Sequence, residues 1–245
     1  MRLFVDNLTN VDFSYLCPER GLLGETWLAH IELIGELDEQ GMVCDFGLVK
    51  KYLRNWLDTE LDHRLLIPTA CDSYQTISGN AEANIEFTLN NGDYIQTHSP
   101  AQAITLINMP LISPSTVASW CEKQLTSAFG NTIANVKLGF SPEHIDTPLY
   151  HYSHGLKKHL GNCQRIAHGH RSKILIWQNN VLNPELMQRW ATTFNDIYLE
   201  VRNFNDLEVN ELGADFIGIK VGDVTGDAVP NSILGIDDRT LTESI

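Results

Sequence analysis

The chain has 245 residues, 43% of them hydrophobic and 20% charged, which is a globular composition and excludes a disordered chain. Its formal net charge of −14 argues against nucleic acid as a partner, and no stretch approaches the roughly 20 apolar residues of a membrane-spanning helix. The five scattered cysteines do not form a disulfide framework and the start lacks a signal-peptide run, so a cytoplasmic location is expected.

Taken in chain order, residues 28–36 alternate partly and read as a strand, closed by a turn at 38–41. Asp45 can cap a following helix, in which Phe46, Val49, Leu53, Trp56 and Leu57 recur at three and four to make one apolar face. Residues 82–89, the turn 90–93 and residues 94–97 read as strand, turn, strand. Pro114 opens a second helix to about residue 129, and 136–140 is a short strand. The segment 141–148, with two prolines, is the candidate linker between domains 1–145 and 146–245. Beyond it come an expected strand at 171–178, a helix opened by Asn183-Pro184-Glu185 and running to about 199, and a strand at 215–221. Strands with helices after them, once in each half, give an α+β fold class twice over.

The densest chemistry lies at 150–170. In His168-Gly169-His170, leading into a strand-like run, both imidazoles point to one face and can reach one ion. Catalytic zinc takes three protein ligands and leaves a fourth position open. His154 is a candidate third ligand, but His151 and His159 are also near, and spacing does not choose among them. Cys163, five residues before His168, is a candidate base, since a thiol beside a metal and imidazoles has a lowered pKa.

Ser153-His154-Gly155-Leu156, Cys163 and His168-Gly169-His170 together resemble the zinc-and-cysteine signature of the 6-pyruvoyl/6-carboxy-tetrahydropterin synthase family. The first half carries another part of the pattern. Residues 35–46, with Gly41-Met42-Val43-Cys44-Asp45-Phe46, resemble the family's turn and Gly-Met-Val-x-Asp-Phe segment, and Leu61-Asp62-His63 resembles its Leu-Asp-His motif. The resemblance implies His154, His168 and His170 as zinc ligands, Cys163 as the catalytic thiol, and Asp62 orienting His63 as a proton relay. It implies tandem tunnelling folds (T-folds), each an antiparallel four-stranded sheet with two helices on one face, assembling as a homo-oligomer.

The implied reaction is a lyase reaction on 7,8-dihydroneopterin triphosphate, with a 6-pyruvoyl or 6-carboxy product, in queuosine or tetrahydropterin biosynthesis. Lys157, Lys158, Arg165 and Arg171 are candidate triphosphate contacts. In the first half, Leu23-Gly24-Glu25 stands where the family has His-Gly-His, Phe140 at the place of its pterin-anchoring Glu, and Val117 in place of the Glu of its Pro-Thr-x-Glu-Asn segment. Thr242-Glu243-Ser244-Ile245 resembles that segment loosely, making Glu243 a candidate substrate contact and the second fold incomplete at its end. Two alternatives follow: a non-catalytic member that binds zinc and a pterin, and a protein whose zinc is structural, with Cys163 as a fourth ligand.

Overall fold

The computed structural model describes residues 1–37, 39, 41–79, 82–126, 129, 133–156 and 167–201. Its elements in order are β1 (Arg2–Cys17), β2 (Gly21–Gly35), α1 (Phe46–Glu60), β3 (Leu65–Pro68), β4 (Tyr74–Gly79), β5 (Glu82–Thr88), β6 (Tyr94–Pro100), β7 (Ile104–Ile107), α2 (Pro114–Thr126), β8 (Ile133–Pro142), β9 (Leu149–Leu156), β10 (His168–Lys173), β11 (Trp177–Gln178), β12 (Val181–Leu182), α3 (Pro184–Phe194) and β13 (Ile197–Val201). The class is α+β.

The main sheet has the order β7-β3-β1-β2-β8. β1 and β2 form a long antiparallel hairpin, and β8 continues the antiparallel pairing on β2. The short strands β3 and β7 add in parallel beside β1, so the sheet has five strands where the family resemblance implies four. They are held there because the chain returns from α1 directly onto the edge of β1, with Ser14 N donating to Arg64 O.

One face of this sheet packs both long helices. Val11, Phe13, Trp27, Ala29, Ile31 and Leu33 meet Leu53, Leu57 and Leu61 of the α1 segment and Val117, Cys121 and Leu125 of α2 in one core. Each fully buried Leu there stabilises the fold by about 1.5–3 kcal/mol. Asp45 caps α1, accepting from Leu48 N at 3.1 Å, and Pro114 begins α2 where a missing N–H costs nothing. On the other side of the hairpin, the three-stranded meander β4-β5-β6 brings Ile85 and Phe87 against Leu16, Leu65, Ile67, Ile104 and Ala167.

The second sheet has the order β10-β9-β13, antiparallel between β9 and β10 and parallel between β9 and β13. α3 packs on it through Met187 and Ala191 against Tyr150, Tyr152 and Ile174. The expected helix to 199 stops at Phe194: Asp196 takes a left-handed φ of 65°, its N–H bonds His151 O at 2.8 Å, and the chain turns into β13. The strand expected at 171–178 starts earlier, at His168, because it pairs with β9, and it ends at Lys173. The linker expected at 141–148 is fixed at its start, since Ser141 and Pro142 remain paired in β8 and Glu143 N donates to Thr26 O. The strand expected at 215–221 lies outside the described residues.

Candidate metal centre

β9 and β10 place His168 opposite His154 and His170 opposite Tyr152. The alternation of strand side chains then puts all three imidazoles on one side of the pair. A ligand nitrogen from each lies within 4.8 Å of the other two. Ring centroids are 4.2 Å apart for His154 and His168, and 4.4 Å apart for His168 and His170. His154 Nδ1 is buried with no hydrogen-bond partner among the described residues. Burial, aided by the charges of His170 and His63, pushes the His154 imidazole down to about 4, so it is neutral at physiological pH. Three converging imidazoles, one with a buried nitrogen lacking a partner, are a donor set that suits a divalent transition metal. Among the described residues this is the one group of His, Cys, Asp and Glu side chains so arranged.

The first half reaches the same place. After α1, Leu61 closes the helix and His63 adopts a left-handed φ of 55°. Two main-chain contacts fix that turn on β1: His63 N donates to Asp12 O at 2.7 Å, and Asp12 N donates to Asp62 Oδ1 at 2.9 Å. His63 Nδ1 pairs with Asp62 Oδ2, which orients the ring. That ring stacks on His168, centroids 4.2 Å apart. The structure therefore brings together His154, His168, His170, Asp62 and His63. Cys163, Lys158, Arg165 and Glu243, with Lys157 and His159, lie outside the described residues. Arg171 is taken up by Glu143 O at 2.7 Å and Glu25 Oε2 at 3.7 Å.

Sequence reasoning missed Asp12. Its carboxylate lies 3.4 Å from His170 Nδ1, both side chains being largely buried. Burial alone would raise the Asp12 carboxyl, but the hydrogen bond and charge of His170, with Thr26 and His63, hold it below its ordinary value. A carboxylate on the second nitrogen of a ligand imidazole fixes its tautomer and orientation. The available signal was a lone acid between Val11 and Phe13 in an alternating strand pattern. A separate groove at the far end of β1, β2 and β8, lined by Arg2, Phe4, Asp6, His30, Glu32 and Lys137, mixes charges of both signs and has no such cluster of metal-ligating side chains, so the histidine cluster is the candidate site.

Comparison with known proteins settles the family. The model of the 6-pyruvoyl tetrahydropterin synthase family matches residues 16–139, just over half of the chain. The chain belongs to this family. A Pyrococcus horikoshii protein provisionally named 6-carboxy-5,6,7,8-tetrahydropterin synthase is 23% identical over 135 residues, covering 52% of this chain and 73% of its own. The 6-pyruvoyl tetrahydropterin synthase structures of Plasmodium vivax and Plasmodium falciparum are 19% and 14% identical, with TM-scores of 0.45 and 0.46, each covering 59% of this chain and 98% of theirs. Tetrahydropterin synthase family members are metal-dependent lyases of pterin biosynthesis that form oligomers. The family match spans the half with Asp62 and His63 and stops before the three histidines. No helix among the described residues is long and apolar enough to cross a membrane.

Proposed function

We propose that this chain is a zinc-dependent lyase acting on 7,8-dihydroneopterin triphosphate, giving a 6-pyruvoyl- or 6-carboxy-tetrahydropterin product in queuosine or tetrahydropterin biosynthesis. The observation that carries this reading is the meeting of His154, His168 and His170 with the Asp62–His63 pair of the other half. His154, His168 and His170 would hold the zinc, which would supply Lewis-acid polarisation of the substrate's side-chain hydroxyls. Asp62 holds His63 through Nδ1, and His63 is the group that accepts or returns a proton in this reading. Cys163 is the base in this reading, Lys158 and Arg165 meet the triphosphate, and Glu243 contacts the pterin. The site belongs to two domains, 1–145 and 146–245, in a homo-oligomer of the cytoplasm.

Incubation of zinc-loaded protein with dihydroneopterin triphosphate, following triphosphate release, tests the proposal. Turnover should vanish in Cys163→Ala while zinc stays bound. No release by the full chain, beside an active family enzyme, sinks the lyase reading. Phe140 at the family's anchoring Glu position favours a second reading, a non-catalytic zinc and pterin binder, for which the same assay would show binding without release.

A further inference from the structure

The two sheets repeat one plan. The order β2-β1-β3 recurs as β10-β9-β13, with an antiparallel pair followed by a parallel one. Ser14 faces Gly24 across the first hairpin and Ser153 faces Gly169 across the second. The turn into the third strand is the same in both: His63 N bonds Asp12 O and Asp196 N bonds His151 O, each from a left-handed residue. The two copies meet at equivalent points. Ser14 Oγ donates to Ser153 Oγ at 2.8 Å, a buried contact between residues 139 positions apart. A Cβ at Gly24 would fall 1.8 Å from Tyr152 O, and one at Gly169 would fall 2.4 Å from the Cα of Gly24, so both glycines are needed for this approach. Contacts that map onto themselves in this way describe an approximate two-fold relation.

Under that relation the three ligand histidines correspond to Tyr15, Leu23 and Glu25, Asp12 to His151, Thr26 to Arg171, and His63 to Asp196. The carboxyl and imidazole have changed places. Asp12 lies 3.4 Å from His170 on one side, and His151 lies 3.6 Å from Glu25 on the other. Trp27 Nε1 donates to Glu25 Oε2 at 3.1 Å, and Arg171 Nε lies 3.7 Å from the same oxygen. His151 Nδ1 donates to Gly24 O at 2.8 Å, and Arg20 grips Asp196 through two bonds of 2.9 and 2.5 Å. The acid at the counterpart of His170 and the acid at the counterpart of His63 are both engaged, Glu25 by Trp27, His151 and Arg171, and Asp196 by Arg20.

We propose that this counterpart is a metal-free joint: Glu25, gathered by Trp27, His151 and Arg171, fills the place of an ion and its ligand and fastens the two sheets, so that each chain carries one metal ion. The inference rests on the metal reading of His154, His168 and His170 for its count of one, while the joint stands on its own contacts.

The test is elemental analysis of the full chain after zinc loading and desalting, beside thermal unfolding of metal-stripped protein. Wild type should hold one zinc per chain; two would overturn the proposal. Tyr15→His/Leu23→His/Glu25→His should hold two; a folded triple variant with one would overturn the equivalence. Glu25→Ala should keep one zinc yet lower the metal-free unfolding midpoint by about 3 °C or more, and Glu25→Gln should recover at least half of that. An unchanged midpoint in Glu25→Ala would overturn the joint, and this comparison decides even if the triple variant does not fold. Wild type holding no zinc would refute the metal reading instead, and the metal-free comparison would still judge the joint.

Discussion

Asp12 offers the sharpest test of whether the two halves share the proposed metal centre. Its side chain is 17% exposed and that of His170 is 15% exposed, so the contact between them at 3.4 Å is little screened. Loss of a carboxylate partner from a ligand imidazole lowers metal affinity by about 10–100-fold, or about 1.4–2.7 kcal/mol. Asp12→Asn keeps the shape and an acceptor oxygen, so it should fall near tenfold. Asp12→Ala removes both and should approach 100-fold. Neither change touches the main-chain bonds by which Asp12 holds Asp62 and His63, so the effect should appear in affinity before it appears in folding. Competition with a chromogenic zinc chelator near neutral pH reads it, with the metal-free unfolding midpoint as the control. Wild-type zinc affinity in Asp12→Ala, beside a His170→Ala variant that does not bind, would refute the reasoning.

Other consequences can be measured on the same protein. Each of His154→Ala, His168→Ala and His170→Ala should take bound zinc from one ion per chain towards none in elemental analysis; retention in all three would place the metal elsewhere. His63→Ala should cut turnover by about 10²–10⁴ with zinc content unchanged, and a parallel loss of zinc would make His63 a ligand instead. Burial, opposed by Arg171 and Trp27, pushes the Glu25 carboxyl up to about 7 from an ordinary 4.5. Between those values the unfolded chain gives up its proton first, so stability falls as pH rises through this window, by about 3 kcal/mol at most. Glu25→Gln should flatten that slope in unfolding midpoints measured across the window, and identical slopes would contradict the assignment. Asp45→Ala should cost about 1 kcal/mol in chemical denaturation by uncapping α1, and no change would mean the cap is dispensable.

The sequence was readable where local physics and long-range packing agree. α1 shows its face at Val49, Leu53 and Leu57 and its cap at Asp45, and both stand in the structure. The sequence does not announce β1 as a strand, because its pattern is broken between Val5 and Thr9, where Asn7 turns to a φ of 54° and the register shifts. The apolar period of Trp190 and Phe194 continues into Ile197 and predicts a longer helix than α3, which the bond from Asp196 to His151, a contact set by the fold, ends at Phe194. The shared face of His168 and His170 is visible as a spacing, since strand alternation is local, while the choice of His154 beside them needs the pairing of β9 with β10. Asp12 and the stacking of His63 on His168 are not visible, because they depend on how the two sheets meet.

That meeting also accounts for the uneven division of the site. In each copy of the plan a hairpin presents three side chains, and the turn into the third strand presents a polar residue to the other copy's hairpin. Where identical copies pair as separate chains, losing the hairpin ligands removes every metal site, and losing the turn's acid–imidazole pair removes every relay. Once two copies share a chain, each need keep only one of the two functions. The first copy carries Asp62 and His63 in its turn and Tyr15, Leu23 and Glu25 in its hairpin. The second carries three histidines in its hairpin and Asn195 and Asp196 in its turn. On the proposed readings, the constraint on Glu25 is packing between sheets, while that on His170, its counterpart, is coordination. Substitutions at Glu25 should be felt in stability with or without metal, and those at His170 chiefly when metal is present.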